Sequence, residues 1–308
     1  MGHVTVKLPN VSQRRACRAL SQPRSTQRYI AQQRNGERAL VERMRELALR
    51  HPRYGYRRIT ALLRREGWRV NRKRVVRLWR REGLKVVKRQ RKTNRSTVDG
   101  SSANAAHRRR AERVNHVWSF DFCHDRTADG RALKIFSVID EYTRQCLIIE
   151  VQRRITGTDV VKILASLMAL YGTPQHLRCD NGPEFICSAV RAWVDRRRAR
   201  GAQLSTLYIA PASPWENGYV ESYHSRLSDE VLDREEFGTL AEARAVLSGW
   251  REEYNCERPH SALGYNTPAA FAAACRDACR HAEACSAPLR SPRHDDGEEE
   301  KIMESVAQ

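Results

Sequence analysis

The sequence predicts a chain of two unlike parts. An all-α, strongly basic N-terminal region comes first. A larger α/β region follows, built on a mixed sheet with flanking helices. Two observations lead there. Charge is segregated: residues 1–116 carry 33 Lys and Arg against 7 Asp and Glu, whereas residues 117–308 carry 23 against 29. The hydrophobic period also changes, from helical before Gly83 to alternating from Val117 onward.

Length and composition set the outer bounds. The 308 residues suit about two domains of ~150 residues each. Hydrophobic residues make up 41%, enough for a core, and the mean hydropathy of −0.68 excludes an integral membrane protein. The most apolar helical stretch, Val160–Tyr171, is broken by Lys162 and falls short of the ~20 residues a span needs. The first 30 residues lack an apolar signal core, so a cytoplasmic, reducing setting is expected, with no membrane partner. The nine cysteines are odd in number and contain no C-x-x-C pair. Cys275, Cys279, His281 and Cys285 cluster without a zinc-site spacing, so an Ala-rich helix is the better reading of them.

The basic region reads as short helices. Gln13–Leu20 forms one, a Ser-Gln-Pro turn follows, and Ser25 suits a cap for the next. This segment is either a first helix-turn-helix or a basic hairpin. In residues 37–51, Leu40, Met44, Leu47 and His51 form a helical stripe that Pro52 terminates. Tyr56–Glu66 buries Ile59, Leu62 and Leu63 and stops at Gly67. Asn71 caps a third helix, Arg72–Glu82, whose apolar face is Val75, Val76, Leu78 and Trp79. Arg72, Lys73, Arg74, Arg77, Arg80 and Arg81 cover the rest of it, against Glu82 alone. That imbalance favours DNA contact over a merely solvated face, and a basic last helix suits a helix-turn-helix. Residues 85–113 read as a basic linker.

Strands are expected at Val117–Cys123, Lys134–Asp140, Gln145–Val151, Gln175–Cys179 and Gln203–Ile209. Helices are expected at Thr158–Tyr171, Phe185–Arg198, Glu216–Glu230 and Leu240–Tyr254. Three adjacent strands followed by alternation give the mixed sheet. After Phe271 the chain turns Ala/Cys-rich, then strongly polar, and reads as a dispensable tail.

Three carboxylates stand in unusual places. Asp121 lies inside the first strand between Phe120 and Phe122, a costly position for an unpaired charge. Asp180 ends a strand, where α/β sheets place ligands. Glu221 falls early in a helix. Each has a plain alternative: a salt bridge, a turn, a solvated glutamate.

Together, VWSFDF around Asp121, DNGPEF at Asp180–Phe185 and SPWENGYVESYHSRL at Ser213–Leu227 resemble the three acidic motifs of bacterial insertion-sequence transposases, specifically the OrfB product. HPRYGYRRI at His51–Ile59 resembles that family's helix-turn-helix, and YNCERPHSALGY at Tyr254–Tyr265 its C-terminal signature. The resemblance spans residues 11–270 and implies an RNase H-like sheet of the retroviral-integrase type. It implies a catalytic trio of Asp121, Asp180 and Glu221 that holds two Mg²⁺ (or Mn²⁺) ions, Asp121 being shared between them. Two such ions can serve the attacking and leaving oxygens of phosphodiester transfer, and hard carboxylate oxygens suit them. It implies double-stranded DNA as partner, both the element's terminal inverted repeats and a target. It also implies homo-oligomers in a synaptic complex, an OrfA partner or fusion, and a bacterial, nucleoid-associated location.

The expected organisation is 1–36 basic helical segment, 37–84 helix-turn-helix, 85–113 linker, 114–272 catalytic core and 273–308 low-complexity tail. Two departures stand out. Between Asp180 and Glu221 lie 40 residues, five more than the family pattern, so counting alone selects Glu216. The Asn-Gly-x-x-Glu motif, Asn217 to Glu221, selects Glu221. Ser228 stands where the family presents Lys or Arg, leaving Arg226 as the nearest cation for DNA, beside Arg72, Lys73, Arg74, Arg77 and Arg81 of the basic helix. Asp140 is read as structural, Glu184 and His224 as flanking residues, and Arg258 and His260 as packing residues. Competing readings are a DNA-binding regulator or inactive copy, and an RNase H-type nuclease.

Overall fold

The computed structural model describes residues 12–28, 36–86, 110–180, 188–208 and 217–286. The chain divides into two compact units, Met1–Lys88 and Arg89–Gln308.

The first unit is helical. α1 (Gln13–Ala19) is capped by the Ser12 hydroxyl and buries Ala16 and Cys17, and α2 (Arg24–Arg28) packs on it. Ser25 is not the cap expected of it. Gln27 N–H bonds back to Pro23 O, so the helix begins at Arg24 and Ser25 sits in its first turn. Proline's fixed φ makes it a natural helix starter.

α3 (Glu37–Arg50), α4 (Tyr56–Arg65) and α5 (Arg72–Arg81) enclose one core. Its members are Leu40, Met44, Leu47, Ile59, Leu62, Leu63, Val75, Leu78 and Trp79, at the spacing the sequence requires. The Asn71 side chain accepts from Arg74 N at 2.8 Å, satisfying an amide with no intrahelical partner. Gly67 and Gly83 leave α4 and α5 at φ +89 and +66, a region costly for other residues.

The second unit holds a five-stranded sheet, ordered β3-β2-β1-β4-β5: β1 (Val117–Arg126), β2 (Ala132–Asp140), β3 (Cys146–Gln152), β4 (His176–Cys179) and β5 (Ser205–Tyr208). β1, β2 and β3 are antiparallel, while β4 and β5 run parallel to β1. This is the mixed sheet expected. Strand alternation sorts β1 onto two faces. Trp118 and Phe120 join the core under α6 (Gly157–Tyr171) and α7 (Ser188–Ala199), with Phe122 packed beside them. Ser119, Asp121 and Cys123 face the other way. There α8 (Gly218–Leu227), the π-helical turn Ser228–Leu232 that continues it, and α9 (Leu240–Cys256) cover Leu133, Ile135 and Ile139.

Sheet-edge details differ from simple alternation. A bulge between Val138 and Ile139 shifts the β2–β3 register, so Leu147 and Ile148 both pack against the α6/α7 core. α9 closes that edge strand. Asn255 accepts from Cys146 N at 2.9 Å and donates to Cys146 O at 2.8 Å, while Arg244 and Arg251 bond to Val151 O and Leu147 O. Unpaired strand backbone is thereby satisfied.

The C-terminal segment carries the Ala-rich helix read around Cys275. α10 (Pro268–Ser286) extends through the first part of the segment read as low-complexity, because its alanines are the strongest helix formers. Residues 287–308 lie outside the described part, as do most of the expected linker and the side chains of Cys279, His281 and Cys285.

Candidate active site

The site is assembled by strand register and helix pitch. In the parallel β1–β4 pair, Ser119 lies opposite Arg178. Two residues further along each strand, on the same face, come Asp121 and Asp180. Adjacent strands are ~4.8 Å apart, so the two carboxylates are neighbours at the carboxyl end of β4. α8 crosses that face of β1. Val220, Tyr223 and Leu227 anchor it in the core, which leaves Glu221 and His224 on the flank beside Asp121.

Electrostatics report the same assembly. The Asp121 carboxyl is pushed up to about 7, first by burial and further by the charges of Asp180 and Glu221. Phe122 N–H, 2.7 Å from Oδ1, pulls the other way. Like carboxylates in one place disfavour simultaneous ionisation. His224 Nδ1 stands 3.7 Å from Asp121 Oδ2, and burial drives its imidazole down to about 4.

Below the carboxylates lies a buried ion pair. Arg178 Nη1 donates to both Glu141 oxygens, at 2.6 and 2.8 Å, and Ser119 donates to the same carboxylate. The Arg178 and Glu141 side chains are 5% and 0% exposed. Nothing in the composition or motifs singled out this pair. Its local signal was an Arg set between Leu177 and Cys179 inside a short strand. Asp140 is structural, as read: it accepts from Asn115 N and Thr143 N at 2.7 and 2.8 Å.

The expected trio is therefore brought together at the level of mutual charge. Among the described residues, no three His, Cys, Asp or Glu side chains stand close enough to hold one ion in common. Residues 181–187 and 209–216, including Glu184 and Glu216, lie outside the described part.

The residues expected to contact DNA lie in two different settings. Arg226 leaves α8 on a different flank from Glu221. Five residues at ~100° each put it about 140° round the helix from Glu221. Its guanidinium bonds to Ser222 on its own helix. Position 228 itself begins the π-helical turn. On α5, Arg72, Lys73, Arg77, Arg80 and Arg81 line one shallow depression with Val76. Arg74 is outside it, one turn before the buried Leu78, with its Nε buried. Arg80, absent from the expected contacts, is inside. Glu37 of α3 is buried and bridges Arg77 and Arg81 at 3.1 and 2.6 Å. The Arg81 hydrogen bond holds its carboxyl below the ordinary value despite burial. A count of charge along α5 alone missed this acid.

The comparisons agree with this architecture. Residues 111–202 and 202–268 match integrase core domain families, and residues 36–92 match an HTH-like domain. An uncharacterised 31.7 kDa protein of insertion element IS407 from Burkholderia multivorans is 38% identical over 264 residues, 86% of this chain and 91% of that protein. The chain belongs to the insertion-element transposase family. Its enzyme class is that of the transposases and integrases. An uncharacterised protein of insertion element IS476 from Xanthomonas euvesicatoria is also 38% identical, covering 85% of this chain and 73% of that protein. A putative IS150 transposase from Escherichia coli K12 is 28% identical over 70% of this chain and 76% of that protein. The HTLV-2 integrase catalytic core, solved with magnesium, gives a TM-score of 0.40 at 17% identity over 53% of this chain and 99% of that one. An HTH-like domain together with an integrase core implies DNA binding. No described helix is long and apolar enough to cross a membrane.

Proposed function

We propose that this transposase-family chain binds insertion-element ends and catalyses metal-dependent DNA cleavage and strand transfer through Asp121, Asp180 and Glu221. The observation that carries the reading is the Asp121 carboxyl, held inside a strand and pushed up to about 7 beside two further carboxylates. A regulator gains nothing from such a costly arrangement. Carboxylate donors fit Mg²⁺ or Mn²⁺. Asp121, Asp180 and Glu221 are the residues that would hold such ions, with Asp121 common to the pairs Asp121–Asp180 and Asp121–Glu221. When bound, such ions stabilise charge on the oxygens that attack and leave.

The protein's own residues supply the rest. Asp121 on β1, Asp180 just past β4 and Glu221 on α8 would supply the carboxylates. In the first step a water oxygen bonds to phosphorus and the bond from phosphorus to the element's terminal O3′ breaks; a proton passes to the departing oxygen, leaving a 3′-OH at the element end and a 5′-phosphate on the flanking strand. In the second step that hydroxyl attacks a target phosphodiester, and one P–O bond again replaces another. The N-terminal unit contributes the affinity: Arg72, Lys73, Arg77 and Arg80 are exposed on α5 and suit phosphate contact. Residues 37–84 and 114–272 act as the DNA-binding and catalytic domains. Synapsis of two ends calls for an oligomer, with an upstream-frame OrfA product as partner or fusion, in the bacterial cytoplasm.

The test combines the full chain, Mg²⁺ and labelled element-end DNA. Joined products are expected from the wild type and none from Asp180→Ala. Equal products from both would overturn the reading, and cut but unjoined DNA would favour a nuclease.

A further inference from the structure

His224 is a polar side chain beside the proposed centre that the reaction scheme leaves without a task. It descends from α8 one turn beyond Glu221, is 11% exposed, and presents Nδ1 to Asp121 Oδ2 at 3.7 Å. Its other ring nitrogen, Nε2, is buried without a hydrogen-bond partner. A second orphan lies at the same place. Ser137 stands opposite Asp121 in the β1–β2 ladder, hence on the same sheet face, and its fully buried Oγ is unpartnered as well. Buried polar atoms are normally paired. Two that are not, one on the residue paired with Asp121 across the ladder and one on the ring beside its carboxylate, mark a cluster completed by something other than protein.

The carboxylate itself is half constrained. Phe122 N–H holds Oδ1 at 2.7 Å, which leaves Oδ2 to be oriented from the side where the imidazole lies. A separation of 3.7 Å exceeds a hydrogen bond, and a closure of about 0.7 Å makes one. Bonds in catalytic sites commonly tighten in this way when the site is loaded.

We propose that His224 is a positioning residue for Asp121: its Nδ1–H donates to Oδ2 and, together with Phe122 N–H, fixes the plane in which that carboxylate meets a divalent cation. The inference rests on the metal role given to Asp121 above. Hydrogen-bond partners of ligating carboxylates typically contribute about 10–100-fold to metal affinity.

The experiment measures Mn²⁺ binding to the full chain by calorimetry, with Tm recorded in chelator. His224→Phe keeps a ring and removes the donor. His224→Asn restores an N–H near the Nδ1 position, and His224→Gln places one near Nε2. Binding about tenfold or more weaker is expected for Phe and Gln, with most of the loss recovered in Asn and the chelated Tm unchanged within about 4 °C. Wild-type binding by the Phe variant, or no advantage of Asn over Gln, would overturn the proposal. If His224→Phe does not fold, the Asn-to-Gln ratio decides alone. Asp121→Asn is the control. Should it retain wild-type Mn²⁺ binding, the metal site and the inference both fall. Should it lose binding while the Phe variant keeps it, the His224 inference falls by itself.

Discussion

Replacing Asp121 by Asn should stabilise the protein while abolishing strand transfer, and the stabilisation should depend on pH in a defined direction. The Asp121 carboxyl is raised from 3.8 to about 7 in the fold, chiefly by burial and then by Asp180 and Glu221. At about 1.4 kcal/mol per pH unit, that rise corresponds to at most about 4 kcal/mol. Because the folded value lies above the unfolded one, the folded state binds the proton more tightly. Stability therefore falls as pH rises from 3.8 to about 7 and is flat above that. The amide of Asn keeps an oxygen for Phe122 N–H and never ionises. The variant and the wild type should thus unfold alike near pH 4 and diverge up to pH 7. Above it the Asn variant should be more stable by up to about 4 kcal/mol, on the order of 8–16 °C in Tm. Urea or thermal unfolding in chelator across this range is the assay. Added Mg²⁺ should narrow the gap by stabilising the wild type alone. A pH-independent difference, or an Asn variant that is less stable at pH 8, would refute the reasoning.

Arg178→Met should cost about 3–5 kcal/mol, since it strands the fully buried Glu141. Adding Glu141→Leu should recover most of that in denaturant melts, and a double variant as unstable as the single would contradict the buried-pair argument. Asn71→Ala removes the cap on Arg74 N and should lower the stability of the N-terminal unit by about 1 kcal/mol, read as an earlier melt. Glu221→Gln should eliminate cleavage of element-end DNA whereas Glu216→Gln should leave it nearly intact. The reverse pattern would move the third carboxylate.

Local signals in the sequence determined the elements. A 3.6-residue apolar stripe, a capping Asn71 and terminating glycines define α3 to α5 because the forces that make a helix act within a few residues. Alternation defines β1 to β3 for the same reason. The acidic motifs marked Asp121, Asp180 and Glu221 as candidates. Tertiary structure alone decided what those residues meet. Asp121 faces α8 because Trp118 and Phe120 claim the opposite face of β1. The raised Asp121 carboxyl is a consequence of burial and of charges brought from β4 and α8, 59 and 100 residues away in sequence. Glu37 neutralises part of the basic helix from α3, and Asn255 seals β3 from α9. Arg226 was legible as a cation but not as one turned back on its own helix. Composition fixes how much charge a chain carries. Where that charge points, and what screens it, depends on distances that exist only after the chain has folded.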